Sequence, residues 1–224
     1  MMDHKRREAG RVAVLLVCAI SILGCNGGNA KQTESDKSRI LSVAGERAGL
    51  LTKLERRFEN PDVHFELGQS YRNDGLWTQA EYHFETALRF DPLNRDAQAA
   101  MVRLLIDTGE QVRASVCAKR YLKQADYSWK ETLKLGKALE QEGAEEYALA
   151  CYQQAVRLSP ESPEGHKTLG RYYLSKDNKD MAKECLKQSF RLDPSQAEVA
   201  GELGRLGVIV RLPRSSETET DSPG

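Results

Sequence analysis

The 224-residue sequence predicts an all-α solenoid of four 34-residue helix-turn-helix units with a capping helix at each end. Three observations carry that expectation. Shifted by 34 residues, the chain superposes Leu67-Gly68 on Met101-Val102, Leu135-Gly136, Leu169-Gly170 and Leu203-Gly204. The same shift superposes Ala80, Ala114, Ala148 and Ala182, and after them Pro92, Asp126, Pro160 and Pro194. Gly75, Gly109 and Gly143 fall between the two halves of their units, where a chain reversing from one helix to the next needs conformational freedom.

The chain opens on Lys5, Arg6, Arg7 and Arg11, followed by an uncharged stretch from Val12 to Gly24, which is the layout of a signal peptide over residues 1–24. Thirteen apolar residues fall short of the roughly 20 that cross a bilayer as a helix. The ending Ser21-Ile22-Leu23-Gly24-Cys25 resembles the lipobox of bacterial lipoproteins, and the resemblance implies cleavage before Cys25 and acylation of that residue with several chains, palmitate among them. An ordinary signal peptide or uncleaved anchor that contains a cysteine is the other reading. Each buried methylene contributes about 0.8 kcal/mol, so several chains on one cysteine anchor a protein stably where a single chain does not. Asn26 differs from the aspartate that resembles an inner-membrane retention signal, so the periplasmic face of the outer membrane is favoured over the inner membrane.

Residues 25–38 form a small, polar tether without apolar periodicity. From residue 39 to 60, Ile40, Val43, Ala44, Leu51, Leu54 and Phe58 recur at helical spacing and predict an N-terminal cap or worn half-repeat. The four units then occupy residues 61–94, 95–128, 129–162 and 163–196. Two antiparallel helices per unit need a small residue where their backbones approach, the role expected for Gly68, Gly136 and Gly170 and for the alanine series. In the fourth unit Asp177-Asn178 replaces the turn glycine, and the asparagine is expected to take the left-handed conformation. Residues 197–207 repeat the first-helix pattern and then stop, as a C-terminal cap does, and residues 208–224 read as a disordered tail.

The positions Leu67, Gly68, Tyr71, Gly75, Ala80, Phe84, Ala87 and Pro92 make the first unit resemble the tetratricopeptide repeat. The third matches nearly as well through Leu135, Gly136, Leu139, Gly143, Ala148, Tyr152, Ala155 and Pro160, while the second is degenerate, with Val102 for glycine and Tyr121 for alanine. The resemblance implies a right-handed superhelix whose first helices line a concave, protein-binding face. On that face it places Phe65, Gln69, Arg72, Arg103, Lys130, Leu133, Lys137, Lys167, Arg171 and Leu174. Arg103, Lys130, Lys137, Lys167 and Arg171 make a basic cluster, with Phe65, Leu133 and Leu174 as an apolar floor, suited to a peptide with acidic residues. The carboxylate clamp of chaperone-binding relatives needs lysine and asparagine where Phe65 and Gln69 stand, so that activity is not expected.

Lysine plus arginine and aspartate plus glutamate both total 33, so nothing in the balance points to nucleic acid; without residues 1–24 the count is 29 basic against 31 acidic. The five cysteines form no CxxC pair, and no metal or cofactor is expected. Cys117, Cys151 and Cys185 share one repeat position with His83; sites one repeat apart lie about 8–10 Å from each other, beyond the ~7 Å reach of a disulfide, so packing is the expected role. His64 and His166 stand where the repeat carries a large aromatic and are also expected to pack. No nucleophile stands with a base and an orienting group, so no catalytic residue is assigned. The expectation is a non-enzymatic, membrane-anchored scaffold that binds envelope proteins, similar to pilotins or to adaptors of cell-wall hydrolases. A non-catalytic accessory subunit of an exported enzyme is the alternative.

Overall fold

A computed structural model describes residues 44–211, and the expectations for residues 1–43 and 212–224 lie outside the described residues. Ten helices and no strand occur among the described residues. Helix α1 covers 44–56. After it come α2 (Pro61–Asn73), α3 (Trp77–Phe90), α4 (Arg95–Asp107), α5 (Gln111–Ala125), α6 (Trp129–Gln141), α7 (Glu145–Leu158), α8 (Pro163–Ser175), α9 (Lys179–Leu192) and α10 (Ala197–Arg205). The even-numbered helices start 34 residues apart from Pro61 to Ala197, and α3, α5, α7 and α9 keep the same step from Trp77 to Lys179. The result is an all-α helical-repeat superhelix.

Local chemistry sets these boundaries. Asn60, Asn94 and Ser162 cap α2, α4 and α8 by accepting a hydrogen bond from the backbone N–H three residues on, and Pro61 and Pro163 take first-turn positions where a missing N–H costs nothing. Helices α3, α7 and α9 have 14 residues each, and α5 has 15. The longer helix is the one whose terminal proline is replaced by Asp126, which still carries the N–H and serves as the C-cap.

Gly75, Gly109 and Gly143 turn the chain at φ of 71°, 79° and 71°. In the fourth unit it is Asp177, not Asn178, that takes the left-handed conformation, at φ 55°. Asn178 instead caps α9 by accepting from the Met181 N–H. The asparagine is worth more as a cap because its side chain satisfies a helix-end donor, while the short aspartate tolerates the strained turn.

The first-helix glycines also act differently from expectation. A Cβ on Gly68 would lie 2.5 Å from the Phe84 ring, on Gly136 2.6 Å from the Tyr152 ring, and on Gly170 2.8 Å from Leu186 Cγ. Each glycine is therefore a notch for one large side chain of the second helix, not a point of backbone contact. In the second unit the sizes are exchanged: Val102 stands at the glycine position and Ala118 at the position of Phe84, Tyr152 and Leu186, both of them buried. Summed volume, not residue identity, is what the site keeps.

A second periodic feature ties unit to unit. His64 Nε2 donates to the Phe58 carbonyl at 3.0 Å, Gln98 to Pro92 at 2.7 Å, Thr132 to Ala125 at 3.0 Å and His166 to Pro160 at 2.8 Å. All four side chains hold the same repeat position and donate to a carbonyl of the segment before their unit; the Phe58 and Ala125 carbonyls also accept from the Asn60 and Ser128 N–H. The chain beyond α10 does not start as a free tail, since Val208 and Val210 pack against Leu186, Val199 and Leu203.

Candidate partner-binding face

Helix α2 packs on α4, α4 on α6 and α6 on α8, so the first helices form a continuous inner wall. The residues expected on it divide into three groups.

Over α4 the wall is drawn together. The run Ala97, Ala99 and Ala100 leaves α4 slim, and all three are fully buried. Arg72 from the first unit reaches Glu142 at 2.6 Å, beyond the end of α6 in the third, and both side chains are mostly covered (17% and 16% exposed). Phe65 and Gln69 line a cleft of about 200 Å³ with Asp96, Ala138, Gln141 and Glu142. No repeat signal reveals Glu142, because its partner lies two units away and it sits outside the helical positions of the inner wall.

From α6 to α10 the wall is open and carries a ladder of charges. Lys167 binds Glu164 at 2.6 Å and Lys137 lies 3.9 Å from the same carboxyl group. Arg171 spans Glu198 and Glu202 at 2.7 and 2.8 Å. Its hydrogen bond is the main reason the Glu198 carboxyl is held below its ordinary value. Arg103 is matched with Asp107 at 2.8 Å, and Lys130 lies over the Trp129 ring at 5.4 Å. The expected basic cluster is thus an interleaved set of ion pairs, with Lys130 and Lys137 its most loosely held cations.

The third group leaves the face altogether. Leu133 is 4% exposed and belongs to the core with Leu135 and Leu139, so it does not floor a groove. It sits one position too close to the neighbouring helices, which cover it. Leu174 and Phe65 remain half-buried and keep apolar surface at the wall.

The thiols of Cys117, Cys151 and Cys185 are unlinked. Burial pushes Cys151 up to about 12 and Cys185 to about 11, so both are protonated packing groups at neutral pH. Their Cβ atoms lie 3.1 and 3.3 Å from where a Cβ on Gly136 and Gly170 would be. His83, in the same series, does something the sequence did not disclose: its Nδ1 meets His64 Nδ1 at 3.0 Å. A second concavity of about 310 Å³ opens between α3 and α5 over Met101 and Leu105, rimmed by Arg89 and Arg120. Among the described residues no group of three or more His, Cys, Asp or Glu could hold a metal, and no helix is long and apolar enough to cross a membrane.

The family model of the tetratricopeptide repeat matches residues 133–162 and 168–196. Over those residues, in its third and fourth units, the chain carries tetratricopeptide repeats. Its repeats are those of protein-interaction scaffolds. No curated protein sequence matches the chain. Among solved structures it is similar to YrrB, described as a TPR protein with an unusual peptide-binding site (20% identity, 75% of this chain and 86% of that one, TM-score 0.39). It is also similar to MamA from Desulfovibrio magneticus RS-1 (22%, 77% and 99%, 0.39) and to pilF of Pseudomonas aeruginosa (27%, 65% and 67%, 0.36). None of these scores reaches 0.5, so no property of those proteins passes to this chain.

Proposed function

We propose that the chain is a lipid-anchored scaffold of the bacterial cell envelope that holds a partner protein against the α6–α8–α10 part of its inner wall. The observation that carries the binding reading is the open charge ladder Lys137–Glu164–Lys167 and Arg171–Glu198–Glu202, beside half-buried Leu174. The Lys137–Glu164 and Arg171–Glu198 pairs are exposed on both sides and each worth about 0–1 kcal/mol, so an incoming chain can exchange these two for its own at little cost, while Glu202 and Lys167 are more covered. Partner carboxylates would meet Lys130 and Lys137, and an apolar residue would cover Leu174. The anchoring reading rests on the basic start, the uncharged stretch and the ending Leu23-Gly24-Cys25. The lipid would sit at the periplasmic face of the outer membrane, and the bound protein would decide whether the scaffold serves pilus assembly, cell-wall cleavage or another envelope process.

Two measurements test these parts separately. Cys25→Ser should abolish palmitate labelling and move the chain from the membrane to the soluble fraction; labelling that persists refutes the anchor. Lys130→Glu with Lys137→Glu should lose a small set of envelope proteins captured by the unaltered chain, at an unchanged helical spectrum. Identical capture refutes the inner-wall site.

A further inference from the structure

The described array begins and ends on half a unit. Helix α1, moved forward by 34 residues, falls on α3, so it is a second-type helix with no first-type helix before it among the described residues. Helix α10, moved back by 34, falls on the start of α8, so it is a first-type helix with no second-type helix after it. What the inner units place at these positions defines what each end lacks. Gly204 holds the position of Gly68, Gly136 and Gly170, where a large second-helix side chain fills the notch in each case. At Gly204, and at Gly201 one turn before it, a Cβ would meet nothing within 4 Å among the described residues. Gly207 stands where the other units carry Tyr71, Leu105, Leu139 and Tyr173, which widens the space further. The cleft on this side of α10 measures about 730 Å³ and is flanked by Val208 and by Ile209, which is 97% exposed.

At the other end, Leu50 holds the position of Phe84, Tyr152 and Leu186, and Gly49 that of Cys151 and Cys185. Among the described residues, Gly49 has nothing within 4 Å of its would-be Cβ. A first-type helix with a glycine notch would therefore find on α1 the leucine that Gly170 finds in Leu186, with the small neighbour that lets the helices close. We propose that α10 of one copy receives α1 of a second copy, head to tail, so that the junction is a fifth helix pair continuous with the four inside the chain. A leucine set over a glycine, the pairing at Gly170, is what identifies the occupant. Glu46 stands where all four inner units carry alanine, and Lys53 where they carry Ala87, Tyr121, Ala155 and Ser189, so the junction places two charged residues at uncharged positions, is weaker than the internal ones and opens reversibly. Such a contact joins different surfaces of the two copies and does not close, so association extends into short rows.

The two open glycines supply the test. In the third and fourth units a Cβ placed on Gly136 or Gly170 would lie 3.1 or 3.3 Å from the Cβ of Cys151 or Cys185, close enough for a disulfide after small adjustment. Full chains carrying Gly49→Cys and Gly204→Cys are mixed, oxidised mildly and mapped by mass spectrometry. The expected result is a 49–204 cross-link that exceeds, at least tenfold, the link between Gly49→Cys and Tyr127→Cys, which lies on a distant exposed turn. In parallel, Gly204→Val builds into the notch at a position where a Cβ meets nothing within 4 Å among the described residues, and should keep the melting temperature while abolishing concentration-dependent association in sedimentation velocity. A 49–204 yield no higher than the control, or association that survives Gly204→Val, overturns the proposal, whichever other segment or protein covers α10.

Discussion

At residue scale the molecule is governed by paired sizes and one pair of imidazoles. Gly136→Ala drives a methyl group into the Tyr152 ring, which is fully buried, and should cost about 1–3 kcal/mol in urea unfolding. Gly204→Ala meets nothing and should stabilise by up to about 1 kcal/mol through helix propensity alone. Combining Gly136→Val with Tyr152→Ala copies the Val102 and Ala118 arrangement and should recover part of the loss; no recovery would refute the volume argument. His64 and His83 behave as a neutral pair: the Phe58 carbonyl requires the proton on His64 Nε2, so His83 Nδ1 donates to His64 Nδ1. Burial first, and the neighbouring His64 second, lower His83 from 6.5 to about 4, and burial lowers His64 as well. Phe58, Tyr71, Tyr82 and Phe90 surround the pair, and Arg47, on the Tyr71 ring that stacks on His83, is matched with Asp74. Below pH 6.5 the unfolded chain binds more protons than the folded one, so the pair's contribution is whole above about 6.5 and is lost as pH falls towards 4. Amide exchange of α2 and α3 should accelerate at pH 5 relative to pH 7 beyond the chemical effect, and His83→Cys, the residue used by the later units, should flatten that difference.

Helices begin and end by side-chain chemistry that acts within four residues. Asn178→Ala removes the α9 cap and should lower stability by about 1 kcal/mol, whereas Asp177→Gly relaxes the left-handed turn and should raise it by a few tenths. If the asparagine were the turn residue, the two substitutions would rank the other way in thermal melts. The same reasoning explains why α5 runs one residue longer than its counterparts: Asp126 does not stop a helix as Pro92, Pro160 and Pro194 do.

For the whole molecule, curvature is the property that decides what the inner wall can hold. The alanines of α4 let α2 and α6 approach, and Arg72 with Glu142 fastens them two units apart. A double-mutant cycle on Arg72→Ala and Glu142→Ala should give a coupling of roughly 0.5–1 kcal/mol, above an exposed pair because both groups are mostly covered. A coupling of zero would mean that packing of α4 alone sets the curvature.

The sequence by itself determined the period, the helix-turn-helix phase and the first-helix pattern that returns after the fourth unit, because each follows from residues a fixed number of positions apart. Only the tertiary structure decided that Leu133 is core, that the basic cluster is an ion-pair ladder, that Arg72 finds Glu142 and that His64 finds His83. The reason is physical. Repeat spacing encodes contacts between equivalent positions of neighbouring units, while burial and charge pairing depend on how far the stack bends, and that bend is the sum of side-chain volumes along every interface at once.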